Sequence, residues 1–134
     1  MDINKHILSL EGPILVLGAS GFIGANLFKM LLSKRDDVYG VCRLEKGWRL
    51  DDVDSKNIFH TDVNDSVALK NLINTITPRT VFDFISYGAY SFEDSHEIVY
   101  QTNFLSLTNI VTLLEEKGVS AYIHAGTSSE YGLN

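Results

Sequence analysis

The sequence predicts an α/β fold, a doubly wound parallel sheet of about five strands with helices on both faces. Strand-like apolar segments alternate with helix-like segments from Ile14 onward. A glycine-rich turn joins the first strand to the first helix. Under the right-handed crossover rule, this alternation predicts the strand order 3-2-1-4-5.

The first half of the chain predicts two strands and one helix. The aliphatic run Ile14–Leu17 is typical of a buried strand. A helix is predicted over residues 22–33, because apolar residues recur there at helical spacing. Val38–Cys42 reads as the second strand. Residues 43–56 form a polar connection, in which Trp48 is the only large apolar anchor.

The second half of the chain continues the same alternation. Asp65 or Asn64 can cap a helix that runs to Ile76. The longest helix is predicted over residues 93–117, with Gly118 placed to end it. The strands predicted in this half are Ile58–His60, 81–85 and 121–125.

Composition and charge exclude several classes of function. The net charge of −6 argues against a nucleic-acid groove or an anionic membrane surface as the main partner. The single cysteine, Cys42, excludes an internal disulfide and fits a reducing compartment. The N-terminus does not resemble a signal peptide, and the 4 histidines are scattered without a cysteine cluster. We therefore expect one cytoplasmic domain without a nucleic-acid, membrane or metal partner.

The glycine turn predicts a phosphate-binding site. Its glycines are spaced three apart and follow a predicted buried strand. Without a Cβ in the way, backbone N–H groups can approach a phosphate, and the helix that follows directs its partial positive end at the same place. The residues predicted to form this site are Gly18, Ser20, Gly21, Phe22, Ile23 and Gly24.

The spacing G-x-x-G-x-x-G resembles that of the short-chain dehydrogenase/reductase superfamily. The resemblance is closest to its extended branch, the NAD(P)-dependent nucleotide-sugar epimerases and dehydratases. Leu17 departs from the Thr that this branch usually carries before the first glycine. The resemblance implies a Rossmann-type NAD(P)-binding domain over residues 1–134.

Two later segments resemble the same family and follow in the family's order. The run Asp62-Val63-Asn64-Asp65 resembles an element in which Asp62 would accept a hydrogen bond from the adenine amino group and Val63 would flank the ring. A solvated turn with a helix cap is the alternative interpretation. The segment 84–89 resembles the stretch that lines the cofactor, which implies cofactor-binding roles for Ser86, Tyr87 and Gly88.

The last segment resembles the strand and turn that carry the family's active-site hydroxyl. Counting four residues back from Tyr131 places that hydroxyl on Thr127, where the family bonds the sugar oxygen that gains or loses hydride. The family also uses a Tyr with a Lys four residues later, and none of the 6 tyrosines has one. The resemblance therefore implies a truncated chain, without the catalytic Tyr/Lys pair and the substrate-binding part.

The end of the second strand bears on the choice of cofactor. Cys42 stands where NAD enzymes of this branch usually keep Asp, and Arg43 follows it, as in the NADP-using GDP-mannose dehydratases. An arginine accommodates a 2′-phosphate, whereas an acidic group accepts from the ribose 2′-OH. NADP is therefore favoured over NAD, although Glu45 can restore NAD binding by reaching the ribose.

We expect the NAD(P)-binding portion of a nucleotide-sugar epimerase, dehydratase or reductase, catalytically incomplete on its own. A nucleotide sugar is the expected substrate of the complete enzyme. One alternative is a non-catalytic NADP-sensing module, which the hydroxyl turn at 127–132 disfavours. Another is a cofactor-free fragment that forms a homodimer through the long helix 93–117.

Overall fold

The computed structural model describes residues 2–43, 47–88, 92–127 and 132. Five parallel strands form one sheet in the order β3-β2-β1-β4-β5, so the predicted fold class and strand order are confirmed. The strands are β1 (Ile14–Leu17), β2 (Val38–Cys42), β3 (Ile58–His60), β4 (Thr80–Asp83) and β5 (Ala121–His124).

Helices cover both faces of the sheet. A π-helical segment, Gln101–Leu105, connects the last two of them. Short 3₁₀ turns, Trp48–Leu50 and Ser55–Asn57, lie in the connection from β2 to β3. The α-helices are α1 (Ile3–Ser9), α2 (Phe22–Leu32), α3 (Ser66–Ile76), α4 (His96–Tyr100) and α5 (Ser106–Glu116).

The sheet separates two apolar clusters, which explains why β1 has no polar residue. Ile14 and Val16 belong to the cluster on the side of α2, whereas Leu15 and Leu17 belong to the cluster beneath α3 and α5. All four side chains are buried, as alternation along a strand covered on both faces requires. Phe28 of α2 is also fully buried, and it fills the first cluster.

Strand β4 differs from its prediction at both ends. It was predicted over 81–85 but spans Thr80–Asp83. The backbone N–H of Phe84 still reaches the carbonyl of Leu17, but that of Ile85 donates to the Asp83 carboxylate instead. Because a side chain takes this hydrogen bond, the ladder ends and the chain leaves the sheet.

The N-terminal helix α1 was not predicted. The Asp2 side chain caps it by accepting from the Asn4 N–H at 3.0 Å. Ile7 is the buried residue of this helix, and it packs into the cluster beside α2. The Arg35 side chain holds the end of α1 through the carbonyl of Leu10, at 2.6 Å. With one buried apolar residue, α1 shows no apolar periodicity.

The interpretation of Trp48 as the anchor of the 43–56 connection is wrong. Its side chain is 74% exposed, with the Arg49 guanidinium 4.6 Å from the ring centroid. Leu50 is the fully buried anchor, because the 3₁₀ turn directs it into the cluster beside α2.

The long helix is shorter and less regular than predicted. It begins at His96, after Ser95 accepts from the Ile98 N–H, rather than at residue 93. Two polar residues are buried here, Thr102 in the π-helical segment and Ser106 at the start of α5. Helices α4 and α5 and the π segment otherwise cover the predicted range, and Gly118 follows the end as predicted.

Candidate functional site

A cleft opens between the carboxyl ends of β1 and β4, at the point where the strand order reverses. The chain leaves β1 towards β2 on one side, and β4 lies on the other. In open parallel sheets this switch point is where ligands bind. A cavity of about 630 Å³ and a smaller one of about 270 Å³ adjoin here, and both are lined by Gly21, Phe84, Ile85 and Ser86.

The glycine turn brings helix α2 to the wall of these cavities. Gly18 has φ +73°, and a Cβ on it would lie 3.0 Å from the backbone of Phe84. The Gly21 N–H closes the turn by donating to the Gly18 carbonyl at 3.0 Å. The first N–H groups of α2, from Phe22 to Gly24, have no intrahelical acceptor. They line the larger cavity, and an anion placed there would meet the positive end of the helix dipole.

The structure brings most of the predicted site residues to one of the two cavities. Gly88 lines neither of them; its φ is +95°, and its N–H donates to Glu93 at 3.2 Å. The predicted site residues at the smaller cavity are Gly18, Ser20, Gly21, Arg43, Asp62, Val63, Ser86 and Tyr87. Those at the larger cavity are Gly21, Phe22, Ile23, Gly24, Ser86 and Thr127.

The smaller cavity has a carboxylate and an arginine on its wall. The Asp62 side chain is exposed, and its Oδ1 accepts from the Asn64 N–H at 3.0 Å. Val63 is 6% exposed and packs into the cluster beneath α3. Arg43 is exposed at the end of β2. The predicted role of Glu45 lies outside the described residues, as does Tyr131, from which the position of Thr127 is counted.

Arg49 is a residue near the site that sequence reasoning missed. Its Nη1 lies 3.5 Å from the carbonyl oxygen of Ser20 in the glycine turn. The sequence shows only an arginine in a polar connection, and the 3₁₀ turn at residues 48–50 is what brings it beside Ser20. The guanidinium adds positive charge next to the glycine turn.

The π-helical segment braces the loops that form the cleft. Asn103 forms a pair of hydrogen bonds with the backbone of Tyr87, accepting from its N–H at 2.8 Å and donating to its carbonyl at 2.7 Å. Thr102 accepts from Asn64 at 3.3 Å, on the loop after β3. Asn103 and Thr102 were not among the residues predicted to form the site. π-Helical segments are frequent at functional sites.

A buried carboxylate lies at the floor of the larger cavity. Asp83 is 2% exposed, and its Oδ2 accepts from the Tyr122 hydroxyl at 2.6 Å. The same oxygen lies 3.1 Å from Nδ1 of His124. Burial raises the pKa of the Tyr122 phenol well above its usual range, and the hydrogen bond to Asp83 and the negative charge of that carboxylate raise it further.

We expect Tyr122 to keep its proton at pH values where an ordinary phenol, with a pKa of about 10, ionises. Wild type and Tyr122→Phe should therefore show the same near-ultraviolet phenolate absorbance while both remain folded. Because only the unfolded state releases this proton near pH 10, the stability that Tyr122 contributes is complete below that pH and is lost as the pH rises above it. A larger phenolate signal in the native wild type near pH 10 would contradict this prediction.

Other features of the described residues do not contribute to the cleft. Cys42 is buried, and burial raises the pKa of its thiol. No cluster of three or more His, Cys, Asp or Glu side chains suited to a metal ion occurs in the part of the chain that the structure describes. Among the same residues, no helix has the length and apolar character needed to cross a membrane.

A parallel sheet in this order, with a glycine turn at the switch point, defines the class of Rossmann-like α/β proteins. The sequence model described as the NAD dependent epimerase/dehydratase family matches residues 14–134. The chain belongs to this family. No curated protein sequence matches it significantly.

Solved structures of other proteins share the fold of this chain. An epimerase from Methanothermobacter thermautotrophicus matches 94% of this chain and 38% of its own, with a TM-score of 0.81 and 22% identity. The enzyme WbmG from Bordetella bronchiseptica, in complex with NAD and UDP, matches 90% of this chain and 39% of its own, with a TM-score of 0.78 and 22% identity. A UDP-glucose 4-epimerase from Thermotoga maritima, with UDP-glucose, has a TM-score of 0.78 and 22% identity over 90% of this chain and 40% of its own. The present chain spans about two fifths of the length of these proteins.

Proposed function

We propose that residues 1–134 form the NAD(P)-binding domain of a nucleotide-sugar epimerase, dehydratase or reductase. The observation that carries this proposal is the opening of α2 between two adjoining cavities. A dinucleotide consists of two nucleosides joined by a pyrophosphate. The pyrophosphate would occupy the turn at residues 18–24, with adenosine in the smaller cavity and the nicotinamide half in the larger one.

The smaller cavity has groups that suit an adenosine with a 2′-phosphate. Asp62 would accept from the adenine amino group, and Val63 would flank the ring. Arg43, which lines this cavity, would pair with the 2′-phosphate, supported by the positive charge of Arg49 beside Ser20. We therefore propose NADP as the preferred cofactor. NAD, which is present in the WbmG complex, is the alternative.

The larger cavity would hold the nicotinamide end and the reacting sugar. Ser86 lines both cavities, and Tyr87 is held by Asn103. We assign Ser86 and Tyr87 to cofactor binding. Gly88 lines neither cavity, so its role would be to shape the loop that carries them. Thr127, at the larger cavity, would supply the catalytic hydroxyl to the sugar oxygen.

The 134 residues by themselves are proposed to bind the dinucleotide without turning over a substrate. Proton transfer from a sugar hydroxyl in this family relies on a Tyr with a Lys four residues later, and no tyrosine of this sequence has one. The nucleotide-sugar substrate and the cytoplasmic setting are proposed for the complete enzyme. Measurable oxidation of a nucleotide sugar by this chain would contradict its proposed inactivity.

We also propose a homodimer through the long helix. Tyr100, Phe104 and Val111 are exposed along it, and the rings of Tyr100 and Phe104 stack with centroids 5.2 Å apart. Sedimentation equilibrium of the wild type and Phe104→Glu tests this. A wild type that stays monomeric at high concentration would rule the dimer out.

Calorimetric titration with NADPH and NADH tests the cofactor proposal. We expect Arg43→Gln to weaken NADPH binding about tenfold, because it removes a charge-assisted hydrogen bond to the 2′-phosphate. NADH binding should change little, since NADH has no such phosphate. Lys70→Gln, on the exposed side of α3, is the matched control for loss of one positive charge.

Two results would contradict this proposal in different ways. If Arg43→Gln weakens the binding of NADPH and NADH equally, Arg43 does not bind the 2′-phosphate. Absence of binding of both dinucleotides to the wild type would contradict the proposed function itself.

A further inference from the structure

The buried Asp83 carboxylate joins the ends of β4 and β5 at the floor of the larger cavity. Its Oδ1 accepts from the Ile85 N–H at 2.9 Å. Its Oδ2 accepts from the Tyr122 hydroxyl at 2.6 Å and lies 3.1 Å from Nδ1 of His124. A buried carboxylate needs such donors, because water cannot solvate it.

This arrangement determines which nitrogen of His124 carries hydrogen. Burial and the nearby carboxylate raise the pKa of Tyr122, so its hydroxyl stays protonated and donates to Asp83. An ionised carboxylate only accepts hydrogen bonds. Nδ1 of His124 is therefore the nitrogen that donates to Asp83, and Nε2 remains for another partner.

His124 presents this ring at the larger cavity. Its side chain is 36% exposed, and the residue lines the cavity together with Thr127 and the first residues of α2. No hydrogen bond joins Nε2 to any residue among those the structure describes. The ionisable groups around the ring are Asp83 on β4, Tyr122 on β5 and Glu93, which lines the same cavity ahead of α4.

We propose that His124 is a further ligand-contacting residue of the larger cavity, whose Nε2 forms a hydrogen bond with a hydroxyl or phosphate oxygen of the nucleotide bound there. Asp83 is the positioning residue, because it holds Nδ1 and orients the ring. The proposal rests on the proposed function, since it requires a nucleotide in this cleft. The contrasting possibility is that the cluster only fastens β4 to β5.

Nuclear magnetic resonance of histidine-labelled protein tests the contact directly. His124→Gln identifies the His124 ring signals by their disappearance, and long-range ¹⁵N–¹H correlation reports which ring nitrogen carries hydrogen. In the free protein we expect hydrogen on Nδ1. When NADPH is added, the Nε2 signal of His124 should shift and saturate at the concentrations that calorimetry gives for binding.

A second arm adds UDP-glucose to the NADPH-loaded protein, to distinguish the two sources of the oxygen. A shift with NADPH alone assigns the contact to the dinucleotide. A shift that appears only with UDP-glucose assigns it to the nucleotide sugar. Either result supports the proposal, and the signals of His60 should not move in either arm.

The matched variants are His124→Gln and His60→Gln. His60 also ends a strand, is exposed and lines neither cavity. Glutamine retains an N–H that can reach Asp83, so the fold should persist. We expect His124→Gln to weaken, about fivefold, the binding of whichever ligand shifts the His124 signal, because one hydrogen bond is lost. His60→Gln should leave the affinity for that ligand unchanged.

The positioning role of Asp83 has its own readout. In Asp83→Asn the hydrogen on the His124 ring is expected to redistribute between its two nitrogens. If that variant does not fold, Tyr122→Phe should leave Nδ1 protonated, because Asp83 remains.

The failures of the two proposals are distinguishable. If calorimetry shows NADPH binding, the His124 ring does not respond to it, and UDP-glucose either does not bind or produces no response, the contact is refuted for this chain and the proposed function stands. If neither ligand binds, both are refuted.

Discussion

Gly24→Ala is expected to lower the free energy of unfolding by about 2 kcal/mol, although alanine normally favours a helix over glycine by about 1 kcal/mol. A Cβ on Gly24 would lie 2.2 Å from the carbonyl oxygen of Gly18 and 3.2 Å from Cα of Ala19. These are backbone atoms, and the Gly18 oxygen already accepts the hydrogen bond from Gly21 that closes the turn. Overpacking of about 3 kcal/mol therefore exceeds the gain in helix propensity.

Urea denaturation followed by circular dichroism measures this effect. The matched control is Asn26→Ala, an exposed position of the same helix, where the change should stay within about 0.5 kcal/mol. A Gly24→Ala protein as stable as the wild type would show that helix α2 can move away from the turn without cost.

Gly21→Ala, three residues earlier, is expected to weaken dinucleotide binding about tenfold or more while the fold survives. Gly21 has φ −69° and ψ 171°, which alanine adopts readily, and the atom nearest to an added Cβ is the Gly18 oxygen at 3.3 Å. The new methyl group would instead occupy the wall shared by both cavities, where the pyrophosphate must approach the backbone. Loss of one charge-assisted hydrogen bond accounts for about a tenfold effect.

Calorimetry with NADPH and NADH measures the affinity, and urea denaturation checks that stability changes by no more than about 1 kcal/mol. Both cofactors should be affected alike, because both contain the pyrophosphate. The two glycine variants are controls for each other, since the same methyl group is added at neighbouring points of one turn. Unchanged affinity for both cofactors would contradict the proposal that the pyrophosphate binds at residues 18–24.

Local patterns were enough to predict the elements that frame the cleft. The predicted bounds of β1, β2 and β3 coincide with those in the structure, because each is a short run of apolar residues between polar or glycine-rich segments. The cap on α3 also follows the prediction, since Asp65 accepts from the N–H groups of Val67 and Ala68.

Elements without a local pattern escaped prediction. Helix α1 buries Ile7 among exposed residues, so its sequence shows no apolar face. Trp48 is the largest apolar residue of its connection but lies in solvent, whereas Leu50 is buried. Residue type alone does not determine which side chain of a 3₁₀ turn is directed into the core.

The sequence by itself determined the fold class, the order of the strands and the position of the glycine turn. It could do so because strand and helix periodicities are local, and the handedness of crossovers leaves few topologies. Only the tertiary structure decided the polar contacts of the cleft. Asp83 meets Tyr122 and His124 across 39 and 41 positions of sequence, and Asn103 meets Tyr87 across 16. Such contacts depend on strand register and on a π-helical segment, and no short stretch of sequence contains both partners.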